Sequence, residues 1–525
     1  MEQLTAAQRT IIVITTVSAA IMELIDTSIV NVALSQISGN LGATIEDTSW
    51  IITAYAIANV IIIPLTGFLA RYFGRKNYYI TSIIIFTIAS FMCGQASSLW
   101  TLVLWRFIQG IGGGALLSTS QGILFDSFPP DKKAVASGLF GMGIVLGPAI
   151  GPTLGGFIVD NYSWPLIFYI NIPFGIAATM LAYRFVFKKP EEYNIDRRSI
   201  YIDYFGIICL TVGVGALQYV LEKGQEDDWF EDGIIRTLSI AAALGLIIFV
   251  WRQLTFKAPL IDLKVMKNKN LLASNILTFV TGFGLFGSVF IFPVMVQRIL
   301  GFTPTEAGLG IVPGALIALP LMPIIGRRIG AGTSPIVFVV FGFIFFILHG
   351  ITSAWATPDV SRSWFIVTQL FRGAGSACLI VPLISQAAIG LKPQQMSSGI
   401  AITNMLRQLG GSFGIAVMNT YVTTKFAQHR NDLITNITAN DPEYISRATQ
   451  ITNGLIAKGI NPLNAAKGAT AIIDGTVSRQ SFFMSYLDGY ILISIFFVCT
   501  IPFIFMLSTK KIDAATQAKI AEESH

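Results

Sequence analysis

The stretch "RFIQGIGGGALL", residues 106–117, returns as "QLFRGAGSACLI", residues 369–380, 263 positions later. Each copy sets an arginine and a glutamine among glycines inside an otherwise apolar run. Other stretches repeat at nearly the same distance. "IPLTGFLARYFGRK" (63–76) and "LPLMPIIGRRIGAG" (319–332) share a Pro-Leu pair followed by Arg-x-x-Gly, 256 positions apart. "ASGLFGMGIVLGPAIG" (136–151) is echoed more loosely by "SSGIAITNMLRQLGGSFG" (397–414). The chain therefore contains two related halves. Parallel repeats of this kind are the signature of two-bundle transporters, with the substrate held near mid-membrane between the halves.

Composition supports a membrane location. Of 525 residues, 53% are hydrophobic and only 12% charged, about half the charged fraction of a soluble domain. Mean hydropathy is +0.66. A bilayer crossing needs ~20 apolar residues, and fourteen such stretches are expected. They run approximately over 10–35, 48–70, 78–97, 99–121, 134–159, 165–187, 202–222, 234–254, 271–297, 305–326, 334–353, 364–389, 397–424 and 483–508. The fold class is thus all-α integral membrane, two six-helix bundles with helices 7 and 8 as extra central spans. A transmembrane barrel would show short alternating segments instead. The first run is read as a retained helix, since it outlasts a signal peptide and has no A-x-A site. Cys93, Cys209, Cys378 and Cys499 all sit in apolar runs without ligand spacing and read as packing residues.

Charge sets the orientation. With a cytoplasmic N-terminus, 22 of the 35 Lys and Arg fall in inner segments and 4 in short outer loops. Among the inner ones are Arg71, Arg75, Lys76, Lys132, Lys133, Lys188, Lys189, Arg197, Arg198, Arg327, Arg328, Lys510 and Lys511. Such asymmetry is the positive-inside rule, and it places both termini in the cytoplasm. The expected organisation is an N-terminal bundle (1–189), a linker with helices 7 and 8 (190–262), five helices of the C-terminal bundle (263–424), a long outer loop (425–482), the last helix (483–508) and a cytoplasmic tail (509–525). Asx-Pro pairs at 441–442 and 461–462 signal helix starts within the outer loop.

"GMGIVLGPAIGPTLGGF" (141–157) places Gly143, Gly147, Gly151 and Gly155 at i, i+4 spacing, with Pro148 and Pro152 between them and Gly156 alongside. A stripe of small residues lets a neighbouring helix approach closely, and the prolines favour a bend. The turn after helix 2 contributes Gly67, Arg71, Gly74, Arg75 and Lys76, glycines for a tight turn and cations at a helix C-terminus.

"AAIMELIDTSIVNVALS" (19–35) carries Glu23 and Asp26 inside an apolar run. At 1.5 Å per residue they lie roughly 18 and 22 Å into the helix, at and just beyond the middle of a ~30 Å core. Spacing of i, i+3 puts both on one face, with Asn31 less in line. The expectation is a face lining the central cavity, because lipid does not accept such groups cheaply. A buried carboxylate pair titrates as a unit and suits proton exchange. Arg106 and Gln109 in helix 4, Arg372 in helix 12 and Arg407 in helix 13 are the other intramembrane candidates; an arginine at mid-membrane costs ~2.5–3.5 kcal/mol. The carboxylates suit cationic substrates and Arg372 and Arg407 suit anionic ones.

Together these motifs resemble the fourteen-helix drug:proton antiporters of the major facilitator superfamily, the EmrB-like subgroup in particular. The carrying stretches are "LIDTSIVNVALS" (24–35), "WIITAYAIANVIIIPLTGFLARYFGRK" (50–76), "GPAIGPTLGG" (147–156), "WPLIFYINIPFG" (164–175) and "MLRQLGGSFGIAV" (405–417). Three positions depart from the patterns: Ser35 stands where the helix 1 motif ends in Pro, Arg71 where the general superfamily loop has Asp, and Arg372 where the subgroup pattern has Gln. The resemblance implies an inner-membrane exporter of hydrophobic small molecules, driven by the proton gradient without a cofactor or metal, and assigns Asp26 a coupling role ahead of Glu23. It also implies a periplasmic adaptor and an outer-membrane channel of the TolC type as partners, and no nucleic acid. Two alternatives stand beside it: export of one endogenous metabolite or siderophore, and a membrane enzyme. The second lacks support, since there is no nucleotide loop, H-E-x-x-H or G-x-S-x-G. A cysteine placed at Asn440 should react with an impermeant reagent on intact cells while one at Asn194 stays protected; the reverse pattern would overturn the orientation.

Overall fold

The computed structural model describes residues 5–129, 132–188, 201–256, 259–358, 360, 362–387, 391, 393–435, 437–438 and 440–507. Lys189, Arg197, Arg198, Lys510, Lys511, Asn194 and the tail 509–525 lie outside the described residues. Every regular element among the described residues is helical. The N-terminal bundle contains α1 (Ala6–Ile29), α2 (Trp50–Phe73), α3 (Arg75–Gly94), α4 (Leu99–Asp126), α5 (Lys133–Asn161) and α6 (Asn171–Phe185). A hairpin of α7 (Tyr204–Lys223) and α8 (Gly233–Thr255) follows. The C-terminal bundle contains α9 (Lys269–Leu300), α10 (Pro304–Gly330), α11 (Pro335–Ala354), α12 (Arg362–Ala387), α13 (Pro393–Thr435) and α14 (Pro462–Thr500).

Among the described residues, twelve spans are long and apolar enough to cross a membrane. The two expected crossings outside that set are α4 and α13. Both are long helices, but they carry Arg106, Gln109 and Arg407 with many glycines and small polar residues. Much of α4 is buried among its neighbours. A helix facing protein is under less demand to be apolar than one facing lipid.

The glycine stripe of α5 packs on α1. A Cβ at Gly147 would strike Leu24, and one at Gly151 would strike the Ser28 hydroxyl. At Gly155 it would lie 2.6 Å from Val32, and at Gly143 3.3 Å from Ile21. These four glycines thus fix the position of the helix that carries Glu23 and Asp26. Pro148 and Pro152 lie inside α5, which remains a single helix.

Other glycines join the two bundles. Along α5 and α10 the backbones nearly touch at both ends of the pair. A Cβ on Gly138 would lie 2.6 Å from the Met322 carbonyl oxygen, and one on Gly326 2.5 Å from that of Ala134. At the opposite end, Gly156 would meet the Thr305 nitrogen at 2.9 Å and Gly308 the Thr153 Cα at 2.6 Å. Between α2 and α13 the approach is looser, Gly67 to Ser397 at 3.6 Å.

The turn from α2 to α3 rests on Gly74, whose φ of 82° suits glycine and few other residues. Arg75 there pairs with Asp126 at the end of α4. Lys76 donates to the Tyr183 carbonyl at 2.7 Å, and Arg71 reaches the Leu260 carbonyl at 3.5 Å.

Beyond the bundles, α13 and α14 continue as long helices. At 1.5 Å per residue each is about twice as long as a ~30 Å hydrocarbon core is thick. The expected last helix, 483–508, begins instead at Pro462, because nothing in 462–482 breaks the helix. A separate helix, Pro442–Ala457, is capped by Asp441, and Asn461 caps α14. Phe426 stacks on Phe482 with ring centroids 3.8 Å apart, and Arg430 pairs with Asp474 at 2.7 Å.

The graded glycine contacts give a graded prediction. Gly147→Val and Gly308→Val should both insert into the membrane yet lose transport by about tenfold or more, because overpacking costs ~1–3 kcal/mol at each. Gly39→Ala, with open space around it, should transport normally. Full transport by both valine variants would show that these approaches are incidental.

Candidate functional site

The charged residues of the membrane interior divide into three groups. The first lies wholly inside the N-terminal bundle. Asp26 on α1 is fully buried and Arg106 on α4 is 1% exposed. The Arg106 Nη1 donates to Asp26 Oδ2 at 2.5 Å and to Gln109 Oε1 at 2.9 Å. Gln109 Nε2 and Asn171 Nδ2, from α4 and the start of α6, each donate to Asp26 Oδ1 at 2.8 Å. The Arg106 Nε donates to the Ile51 carbonyl at 3.3 Å, and its guanidinium lies 4.2 Å from the centre of the Tyr55 ring. Ser90 on α3 accepts from Asn171 and donates to the Phe168 carbonyl. Four helices are thereby tied to one carboxylate. Such a pair offsets its desolvation only when its geometry and remaining hydrogen bonds are good, and here both Asp26 oxygens are satisfied.

The second group lies at the seam between bundles. Glu23 is one helical turn before Asp26 but in different surroundings. Asn59 of α2 donates to Glu23 Oε1 at 3.0 Å, while Oε2 has no hydrogen-bond partner. Arg407 of α13, in the opposite bundle, acts on Glu23 electrostatically. Arg407 is 4% exposed, and its guanidinium has no hydrogen bond among the described residues. Glu23 and Arg407 thus lie within electrostatic reach across the seam, the acid with one oxygen and the guanidinium with all its N–H groups lacking a hydrogen bond among the described residues.

The third group lies in the C-terminal bundle. The repeat offset of 263 puts Gln369 at the place of Arg106 and Arg372 at the place of Gln109. The pair has exchanged order. Arg372 Nε donates to Gln369 Oε1 at 2.6 Å and Nη2 to the Ile311 carbonyl at 3.4 Å. No carboxylate pairs with Arg372 among the described residues. His349 of α11 is nearby and buried, with Nδ1 hydrogen-bonded to the Thr368 carbonyl at 2.9 Å.

The structure therefore separates residues that the sequence grouped. Asp26, Arg106 and Gln109 come together as expected of neighbouring candidates, but they turn into the N-terminal bundle instead of lining a central cavity. Only Glu23 of the two carboxylates reaches the seam. Asn31 is exposed at the end of α1, away from both. Arg372 and Arg407 occupy separate places, one in the bundle core and one at the seam. Sequence reasoning missed Asn59, Asn171, His349 and Asn404. Each is a polar residue inside an apolar run, and that was the available signal; which charge each would meet was not.

The Major Facilitator Superfamily model matches residues 16–415. Among curated relatives, the multidrug export protein EmrB of Escherichia coli (strain K12) is 33% identical over 452 residues, covering 85% of this chain and 87% of the relative. The fatty acid resistance protein FarB of Neisseria gonorrhoeae is 33% identical over 495 residues, 93% of this chain and 94% of the relative. Among solved structures, the human organic anion transporter MFSD10 superposes with a TM-score of 0.59 at 12% identity, over 95% of this chain and 99% of that one; this likeness speaks to the fold. By the family model and by relatives similar along most of their length, the chain belongs to the Major Facilitator Superfamily, among its EmrB-like members.

Proposed function

We propose that this protein exports hydrophobic small molecules by alternating access, in exchange for protons, and that Glu23 is the carboxylate at which the exchange takes place. As an EmrB-like member of its superfamily, it is a multi-pass transporter of the inner membrane. A hydrophobic substrate class fits both the multidrug and the fatty-acid names of its relatives. Transport in place of enzymatic chemistry is the accompanying reading. In the proposed orientation both termini and the Arg71–Lys76 turn face the cytoplasm.

The observation that carries the role of Glu23 is the contrast between the two carboxylates of α1. Asp26 already has its charge balanced by Arg106 and both oxygens hydrogen-bonded. Glu23 keeps one oxygen free of hydrogen bonds at the surface where the bundles must part. A substrate held at the middle of that seam would meet Glu23 and Arg407 together. Proton and substrate would then compete for the same carboxylate, which is the requirement for exchange in opposite directions. One pH unit supplies ~1.4 kcal/mol per proton and 100 mV supplies ~2.3 kcal/mol per charge, and both are harvested only through a group that titrates. Asp26, in this reading, positions α1 against α4 and α6.

Substrate-induced proton release from purified protein tests this. Glu23→Gln should lose release about tenfold or more while downhill substrate exchange continues. Asp26→Asn should instead lower the unfolding temperature, because removing one member of a buried pair costs ~3–5 kcal/mol, and Asp26→Asn with Arg106→Gln should recover much of that loss. Undiminished release from Glu23→Gln, with release lost in a well-folded Asp26→Asn, would return the coupling role to Asp26.

The reading includes a periplasmic adaptor docked on the projecting helices, with an outer-membrane channel beyond it. Ile445, Ile456, Leu463 and Ile472 are exposed there. Ile445→Ser with Leu463→Ser should weaken adaptor capture and leave proton exchange by the purified transporter unchanged; unchanged capture would remove this surface from the proposal.

A further inference from the structure

On one side of Glu23 the seam between the bundles is bridged by buried polar side chains. Towards the membrane face that bears Arg71 and Arg75, Asn404 of α13 crosses between bundles. Its Nδ2 donates to Ser118 Oγ at 3.1 Å and to Gln121 Oε1 at 2.9 Å, both on α4. The preceding residue, Thr403, donates to Asn275 Oδ1 of α9 at 2.7 Å. All are buried. On the same half, Asn404 Oδ1, Thr278 Oγ1, Ser274 Oγ and Gln386 Oε1 have no hydrogen-bond partner. A buried polar atom left so costs ~1–3 kcal/mol unless water reaches it. A small cavity of ≈ 10 Å³ lies there, its walls mainly apolar, with Gln121 and Thr403 as the polar side chains that line it; its volume is close to what one water needs. On the far side of Arg407, α13 packs on α9 within its own bundle, Gly411 on the Phe286 ring and Gly414 on the backbone of Phe283.

We infer that this polar half of the seam is a hydrated path carrying the proton between Glu23 and the Arg71–Arg75 face, with Gln121 and Asn404 as its positioning residues. The inference rests on the proposed role of Glu23. In the discharging direction the Glu23 carboxyl O–H bond breaks, its electron pair stays on the carboxylate, and a water in the path takes the proton. That water passes a proton onward to the next acceptor and so to bulk solvent. Asn59 of α2 is bonded to Glu23 of α1, and Ser118 and Gln121 of α4 are bonded to Asn404 of α13, beside Thr403. Their amides and hydroxyls supply the hydrogen-bonding groups that hold water in line. Arg407 stands at the entrance, where its charge opposes a proton moving on to the opposite half.

The test is a pH jump on the purified full-length protein, with the Glu23 carboxyl C=O band followed by time-resolved infrared spectroscopy. The probe is the proton itself. The band is assigned by its loss in Glu23→Gln. Asn404→Leu and Gln121→Leu, each checked for an unchanged unfolding temperature, should slow its appearance about tenfold or more, with Asn404→Ser partly restoring the rate. Gln218→Leu is the control, because Gln218 makes a contact to Ser412 of α13 at 3.0 Å on the other half of the seam; it should leave the rate unchanged. An unaltered rate in a folded Asn404→Leu or Gln121→Leu overturns the path while the role of Glu23 stands. Equal slowing by Gln218→Leu overturns it as well, since seam opening would then set the rate. A spectrum in which Glu23→Gln removes no titrating band fails the underlying role instead.

Discussion

The hydrocarbon core does not tolerate unpaired charge, and the N-terminal bundle is arranged around that fact. Asp26 and Arg106 meet at 2.5 Å with both side chains excluded from solvent. Gln109, Asn171 and the Ile51 carbonyl satisfy what the ion pair leaves over. Helices α1, α2, α4 and α6 are thereby held by one polar knot where apolar packing alone gives little directional preference. In lipid the hydrophobic effect does not drive helices together, so packing and interhelical hydrogen bonds must do so. The same knot leaves Glu23, three residues away, as the carboxylate of α1 at the moving surface.

The C-terminal bundle repeats the plan with a different balance of charge. The arginine and glutamine of α12 stand in reversed order, and α9 offers Arg372 no acid in place of Asp26. One bundle is neutral at its core and the other carries a cation. The seam between them adds Glu23 on one side and Arg407 on the other. Symmetry of fold therefore coexists with asymmetry of electrostatics on the two sides of the seam.

Glycine sets where those walls touch. Along α5 and α10 backbone meets backbone at both ends of the pair, Gly138 with Met322 and Gly156 with Thr305. Such close approaches gain dispersion contacts when formed and lose them over a short displacement. That suits an interface with discrete open and closed arrangements. On the opposite flank, α7 adds Gln218 to Ser412, and the Trp229 indole in the turn after it donates to Thr420 at 3.2 Å. Both contacts end on α13, and Lys223 at the end of α7 donates to the Glu46 carbonyl at 3.2 Å, so the extra hairpin touches both halves.

Much of this was legible in the amino-acid order. Long apolar runs dictate transmembrane helices, because a backbone in lipid must satisfy its own hydrogen bonds. The repeat of 106–117 at 369–380 dictates two bundles, and the stripe Gly143, Gly147, Gly151 and Gly155 dictates a close helix partner. The sequence also marks Glu23, Asp26, Arg106, Arg372 and Arg407 as groups needing a reason to be in a membrane. It could not say which charge meets which. Spacing of i, i+3 leaves two side chains about 60° apart around a helix, enough for one to face a bundle core and the other the seam. Partner identity depends on helices far apart in the chain: Asn171 reaches Asp26 across 145 residues and Asn404 reaches Gln121 across 283. Local periodicity fixes which face of a helix is polar. Only the packing of all the helices decides what that face confronts, because the energy of a buried charge is set by the groups around it.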